Sequence, residues 1–467
     1  MLLTLAEILT ITKGTLLAGR PEGCISGAII DSRDARGGEL FFPLQGEKEN
    51  GHCFINDALR RGAAASLLEK DYITRFSPGD FPPEKALIVV DNCLQCLQEI
   101  AAYHRDKNFP AVVAVTGSNG KTTTKDLIAS VLETRYCVLK TEGNYNNDIG
   151  LPLTLLRLRP QHEIAVLEMG MRGRGEIALL SALAKPGLGV ITNIGEAHLE
   201  LLGSRENISR AKGELLEAMG SRGTAVLNGD DPFLRRMGGL FPGRTVYYGY
   251  GERSDLRVQH SQFENGGYAF TAVLPQGGVA EFWVPLPGKH NVYNALAAVA
   301  VGLHFSLKES EIRKGLANAS FSAMRMERMQ TKSGFWLIND AYNASPSSME
   351  FALQALKEWA GAELSIAVLG DMLELGAYTV EGHRKTGHCL ARVGIDYLVT
   401  VGEQAAFIGE GAKEAGFPPG CMFSCSSNAE AIKVLQSLPL RGAHVLVKGS
   451  RAMGMETIVN EMLAKYN

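Results

Sequence analysis

Thr116-Gly117-Ser118-Asn119-Gly120-Lys121-Thr122-Thr123 follows directly on the apolar run Ala111-Val112-Val113-Ala114-Val115 and leads into a helical pattern from about Lys121 to Glu133. A short, continuous, β-branched run suits a strand buried in a parallel sheet. A glycine loop between such a strand and a helix turns backbone N–H groups and the helix N-terminus toward phosphate oxygens. Lys121 then supplies a cation to the terminal phosphates, and Thr122 a hydroxyl to Mg²⁺. The full P-loop pattern places glycine where Val115 stands, so this is a shorter Thr-Gly-x-x-Gly-Lys-Thr-Thr form. The loop alone leaves a switch GTPase, a kinase and a ligase open; the chain contains no Asn-Lys-x-Asp guanine signature, and ATP is the expected nucleotide.

Downstream, strands are predicted at Ile164–Leu167, Gly189–Thr192 and Ala225–Leu227, with helical segments between them. That alternation predicts a doubly wound parallel sheet. Glu168 ends the first of these strands, on the edge where ligands bind in open α/β sheets, and could hold Mg²⁺; a solvated strand-end carboxylate is the alternative. His198 follows the next strand in Asn193-Ile194-Gly195-Glu196-Ala197-His198-Leu199-Glu200, on the same edge. Lys212, in Ser209-Arg210-Ala211-Lys212-Gly213-Glu214, reads by itself as a surface lysine on a helix. Asn291 and Asn294 stand three apart at a helix start, where amides cap the helix or read an adenine edge; by residue type alone, capping is the stronger reading. The tract Lys140 to Gly150, with Asn144 and Asn147, is too rich in amides for a core and reads as a loop presenting hydrogen-bonding groups.

Outward from this centre, the fold class is α/β in three domains, 1–91, 92–320 and 321–467. In the first, strands are predicted at 28–30, 40–42 and 86–90, a helix at 54–61 and a surface loop over Ser77–Pro83. A helical pattern runs from Asp91 to His104. Residues 245–286 look like antiparallel hairpins with turns at 264–267 and 275–278, followed by helices at 291–302 and 309–317. After about residue 320 alternation restarts, with strands at 335–338, 365–369, 397–401 and 444–447 and a closing helix at 456–463.

The chain has 467 residues, 45% of them hydrophobic and 21% charged, with a formal net charge of −3. No global basic field favours nucleic acid or an anionic membrane. No apolar run approaches the roughly 18 to 20 residues of a membrane span. Met1 to Glu7 lacks a basic leader and is expected to start an amphipathic helix, so a cytoplasmic location is expected. Cys93-Leu94-Gln95-Cys96 has a redox- or zinc-like spacing but lies in a helical pattern with no His pair nearby in the sequence. Buried, reduced thiols are expected there, and Cys421 and Cys425 are read alike.

Taken in order along nearly the whole chain, these motifs resemble the Mur ligase family. Within it they are most similar to the branch that joins D-alanyl-D-alanine to UDP-N-acetylmuramoyl-tripeptide in peptidoglycan synthesis. The loop Thr116–Thr123, the tract Thr141–Gly150, the segments Ile191–Glu200 and Ala211–Glu214, and Gly288-Lys289-His290-Asn291 through Asn294 match family motifs. So do Asn339-Asp340-Ala341-Tyr342-Asn343 and, most specific to that branch, Gly370–Gly376 and Val447-Lys448-Gly449-Ser450-Arg451. The resemblance implies a UDP-binding first domain, a central ATPase domain and a Rossmann-like third domain that closes on ATP. It implies that Lys121, Thr122 and the rest of the loop handle phosphates and Mg²⁺, with Glu168, His198 and a carbamylated Lys212 at the metal ions. Asn291 and Asn294 would lie near adenine, and Arg325 and Asp340 near γ-phosphate and ribose. Ser32, Arg33, Gln45 and Gly46 would hold the UDP end. Asn144, Asn147, Asn343, Lys448, Ser450 and Arg451 would face the peptide substrates. A monomer is expected, with no nucleic-acid partner. The alternatives are a sister ligase adding the third amino acid, a folylpolyglutamate synthase, and a non-catalytic ATP-binding regulator. Asp-Asn-Pro-Arg, typical of the sister ligase, is absent, and residues 1–91 argue against the synthase.

Overall fold

The computed structural model describes residues 3–19, 23–46, 49–76 and 84–467. The loop expected at Ser77–Pro83 lies outside them. Three large sheets, of nine, six and five strands, organise the described residues, beside a two-stranded pairing of Leu3–Thr4 with Cys24–Ile25. The run that opens the nucleotide loop forms the strand Ala111–Thr116, buried from Val112 onward. It lies between the parallel strands Ile164–Glu168 and Leu188–Ile191, and Val138–Lys140 and Thr224–Asn228 extend the sheet on either side. All five strands point the same way, so Lys140, Thr116, Glu168, Ile191 and Asn228 end on one edge. That edge carries the site.

The hairpin expectation for 245–286 needs a correction. Arg244–Gly249 continues the parallel sheet, and Leu256–Glu264 also joins it in parallel; only from there do two hairpins, through Gly267–Val273 and Val279–Val284, turn antiparallel. The result is one nine-stranded sheet. The turns fall where glycines accept left-handed backbone, at Gly266 (φ 76°) and at Gly277 and Gly278 (φ 84° and 88°).

The helix Lys121–Leu132 packs against His290–His304 beneath this sheet, and Gly315 on Glu309–Ala317 permits a close crossing: a Cβ there would meet the Val131 Cα at 2.5 Å. The N-terminal sheet runs Thr15–Ala18, Ala86–Val90, Ala65–Glu69, Glu39–Phe41, Gly27–Ile29, with the first strand antiparallel. The helix Cys93–Asn108 bridges this sheet to the central one. Cys93, Leu97, Ile100 and Ala101 share a continuous core with Leu67, Ile88, Leu155 and Leu167. Cys93 and Cys96 are therefore buried thiols, and all eight cysteines are free; Cys425 lies on a strand, and Cys421 in a short helical turn, rather than on a helix. The C-terminal sheet is ordered Glu327–Gln330, Trp336–Asn339, His444–Lys448, Ser365–Gly370, Tyr397–Val401, Met422–Cys425, with only the first strand antiparallel. Among the described residues, no helix is long and apolar enough to cross a membrane.

Candidate active site

The loop Gly117–Gly120 is held by the segment that follows the neighbouring strand. Ser118 N–H donates to Asn193 O, and Asn119 N–H to Asn193 Oδ1, each at 3.0 Å. Thr192 Oγ1 and Asn193 Nδ2 donate to Asn119 O at 2.6 and 3.0 Å, and Gly195 N–H donates to Ser118 Oγ at 2.8 Å. Gly117 (φ 149°) must be glycine, because a Cβ would overlap the Thr192 hydroxyl. Asp231, at the end of the next strand, accepts from Ile194 N–H at 2.8 Å and caps the helix Pro232–Leu240. Three strand ends, those after Thr116, Ile191 and Asn228, thus meet at one loop.

Two lysines converge on a single carbonyl. Lys121 Nζ donates to Gly117 O at 2.8 Å, and Lys212 Nζ donates to the same oxygen at 3.0 Å. Lys212 is 1% exposed, which corrects its reading as a surface lysine: the helix Arg205–Met219 turns that face inward. Burial, and then the Lys121 charge, push the Lys212 amine well below its ordinary range. Burial also lowers Lys121, with Arg325 adding to the effect and Glu168 opposing it. Glu168 is 2% exposed; Asn146 Nδ2 donates to its Oε1 at 2.8 Å, while Oε2 is buried without a hydrogen bond. A buried carboxylate oxygen in that state fits a divalent cation, and the Thr122 hydroxyl at the helix start suits the same ion. His198 has left-handed backbone (φ 64°), and its Nδ1 lies 3.3 Å from Glu374 Oε2. Burial, then Lys121, then Lys212 hold its imidazole below the usual range.

A cavity of about 640 Å³ opens beside the loop. Its walls include Asn119–Thr123, Asn291, Asn294, Arg325, Asp340, Asn343 and Lys448. Asn291 and Asn294 are not caps. Asn294 Nδ2 donates to Asn291 Oδ1, Asn291 Nδ2 to Pro287 O, and Thr124 Oγ1 to Asn294 Oδ1, a buried chain against Gly120. Across the C-terminal sheet edge, Lys448 Nζ donates to Asp340 Oδ2 at 2.6 Å and to Asn343 O at 2.9 Å. Arg325 lies over the Tyr342 ring at 4.0 Å, between the left-handed residues Met324 and Met326. Ser450 Oγ accepts from Leu373 N–H, and Arg451 pairs with Glu456. The described residues of the first unit stand apart from this cavity. Ser32 Oγ donates to Asp57 Oδ2, Arg33 pairs with Asp31, and Gln45 Nε2 reaches Gly46 O. Asn147 Oδ1 accepts from Gly150 N–H and caps the turn there, so the amide beside Glu168 is Asn146.

Asn146, Asn193 and Asp231 were missed by sequence reasoning. Asn193 and Asp231 carried a positional signal, since each follows a predicted strand on the site edge. The buried pair Lys125–Asp126 carried none. Lys125 Nζ lies 3.0 Å from Asp126 Oδ1 and donates to Thr141 O and Ser322 Oγ, and Asp126 Oδ2 accepts from Ser322 N–H and Oγ–H, each at 2.9 Å. The nucleotide-loop helix is thereby fastened to the connector into the third unit.

The Mur ligase middle domain model matches residues 115–302, the Mur ligase glutamate ligase domain residues 324–451, and the Mur ligase family catalytic domain residues 25–105. The chain is 40% identical, over 98% of each chain, to a UDP-N-acetylmuramoyl-tripeptide–D-alanyl-D-alanine ligase of Bacillus subtilis (strain 168). Its fold matches a crystal structure of MurF from Acinetobacter baumannii with a TM-score of 0.87, 32% identity and 99% of each chain covered. It also matches MurF ligase from Thermotoga maritima in complex with ADP, with a TM-score of 0.79, 28% identity and 94% of this chain and 97% of that one covered. With these relatives covering 94% or more of the chain and a phosphate loop held at three strand ends, the chain belongs to the Mur ligase family.

Proposed function

We propose that this chain is an ATP-dependent amide ligase that joins D-alanyl-D-alanine to UDP-N-acetylmuramoyl-tripeptide, releasing ADP and phosphate. The convergence of Lys121 and Lys212 on Gly117 O, beside the half-satisfied carboxylate of Glu168, carries the chemistry. The activity of the 40%-identical Bacillus ligase supports the substrates. The domains divide near residues 91 and 320, and the enzyme acts as a cytoplasmic monomer.

A carboxylate does not condense with an amine at neutral pH, because oxide is a poor leaving group. The tripeptide carboxylate oxygen attacks the γ-phosphorus of ATP, ADP departs, and an acyl phosphate forms. The dipeptide amine then attacks the acyl carbon, phosphate departs, and the amine proton is lost. Lys121 and the loop N–H groups spread the charge of the transferring phosphoryl group. Thr122, Glu168 and His198 would hold Mg²⁺, which would supply Lewis-acid stabilisation of that charge. Arg325 and Asp340 reach the nucleotide from the third unit, and Asn291 and Asn294 line its base end. Ser32, Arg33, Gln45 and Gly46 hold the uridine diphosphate, while Asn144, Asn147, Asn343, Lys448, Ser450 and Arg451 face the peptides. Docking of the third unit keeps water from the acyl phosphate. Phosphate release from ATP and UDP-muramoyl-tripeptide should require D-alanyl-D-alanine. Equal release with meso-diaminopimelate or L-lysine in its place would overturn the assignment.

Lys212 is carbamylated. Its amine is driven toward the neutral form, which alone attacks CO₂; one proton leaves and a carbamate anion remains beside the metal site. A single carbamate signal is expected in ¹³C NMR after equilibration with ¹³C-bicarbonate, and Lys212→Arg should lack it. Full activity in CO₂-free buffer together with no such signal would refute the modification.

A further inference from the structure

The helix Pro346–Ala360 touches the central unit at both ends and in the middle. At its N-terminus, Ser345 Oγ donates to Asn119 Oδ1 at 3.3 Å, and Asn119 Nδ2 donates to Ser347 Oγ at 3.0 Å. Midway, the Phe351 ring stacks on His290 with centroids 4.5 Å apart. At its C-terminus, Glu358 accepts from Tyr268 Oη and from Gly288 N–H, each at 2.6 Å, and Trp359 Nε1 donates to Gly266 O at 3.0 Å. Fifteen residues at ~1.5 Å rise make a rod of roughly 22 Å, so one rigid element meets the phosphate loop and, far from it, the segment that leads into Asn291 and Asn294.

Glu358 is not one of the residues that touch substrate in the reading above, and it does not line the nucleotide cavity. Both of its carboxylate oxygens are nonetheless spent on the central unit. Gly288 has left-handed backbone (φ 84°), and its N–H starts the turn into the helix His290–His304 that bears both asparagines. A half-buried carboxylate taking two short hydrogen bonds is a charge-assisted anchor for that turn. We infer that Glu358 is a positioning residue through which docking of the third unit fixes the adenine-side turn, so that closure and nucleotide affinity are coupled along this one helix. The coupling is reciprocal: a nucleotide that orders the turn favours docking by the same factor. This inference rests on the ligase reading with a third unit that docks on the nucleotide.

The test compares full-length wild type with Glu358→Ala, Glu358→Gln and Tyr268→Phe, measuring the Kd for ADP, KM for ATP, kcat and the ADP-dependent change in tryptophan emission. Trp359 is bonded across the interface and reports docking; Trp359→Phe identifies its share. Glu358→Ala should raise KM for ATP and Kd for ADP about tenfold or more and shrink the emission change. Glu358→Gln should recover part of this, because its amide oxygen still accepts one hydrogen bond. The Glu358→Ala/Tyr268→Phe double variant should lose less than the two single losses combined. A Glu358→Ala enzyme that keeps wild-type Kd, KM and emission response overturns the inference alone. So does a fall in kcat and thermal stability with unchanged nucleotide affinity and no rescue by glutamine. A wild-type enzyme that turns over yet shows no nucleotide-dependent emission or scattering change removes the docking reading and the inference with it.

Discussion

Replacing Lys121 with alanine should lower kcat/KM in the phosphate-release assay by at least 10²–10³-fold, the range for losing one preorganised donor to transition-state charge. Two effects combine. The ammonium that faces the transferring phosphoryl group is removed. The like charge that helps hold Lys212 neutral is removed as well, so the Lys212 amine returns toward its ordinary range and fewer molecules carry the carbamate. Lys121→Ala should therefore also weaken the ¹³C carbamate signal near neutral pH, an effect a purely positional lysine would not have. The fold should survive, since the Lys121 hydrogen bonds run only to carbonyls of its own loop. Wild-type turnover in Lys121→Ala would end the proposed chemistry.

The largest stability loss is expected at Asp126→Ala. Asp126 is 1% exposed and Lys125 is fully buried, so truncating the carboxylate strands an ammonium whose other described partners are a carbonyl and a hydroxyl. Breaking one side of such a pair costs about 3–5 kcal/mol. For a unit of this size that corresponds to a fall of roughly 6–20 °C in the melting transition, measurable by circular dichroism. Lys125→Met combined with Asp126→Leu should lose much less, because an apolar pair leaves no buried charge. A shift under about 2 °C for Asp126→Ala would show that the pair is not desolvated as described.

Most of the sheet architecture was legible, because buried parallel strands are short apolar runs and glycine loops mark their ends. Ala86–Val90 and Tyr397–Val401 were placed to the residue. Ala65–Glu69 was not foreseen, although it is buried for most of its length, because Ala-Ser-Leu-Leu-Glu has no β-branched residue and suits a helix as well as a strand. Val138–Lys140 and Met422–Cys425 are too short to show a period. The parallel pairing of Leu256 and Arg257 escaped because alternating burial looks the same in a parallel edge and in a hairpin. At the site, residue type and strand position suggested Glu168 and His198. Burial decided the rest. Lys212 and the pair Lys125–Asp126 have the sequence character of a solvated helix face, and only tertiary packing reveals that they are enclosed.

The two hairpins have a consequence for how much of the central unit can be removed. Successive strands rotate by about 20–25°, so eight steps across the sheet turn its far edge through roughly half a revolution. Tyr268, Phe270, Phe282 and Val284 thereby share one apolar interior with Val113 and Val166 of the parallel strands and with Val292, Leu296, Val299 and Val301 of the helix beneath. What looks in outline like a trimmable appendage is the lid of the ATPase interior, and excising it would leave the helix bearing Asn291 and Asn294 open to water along one side.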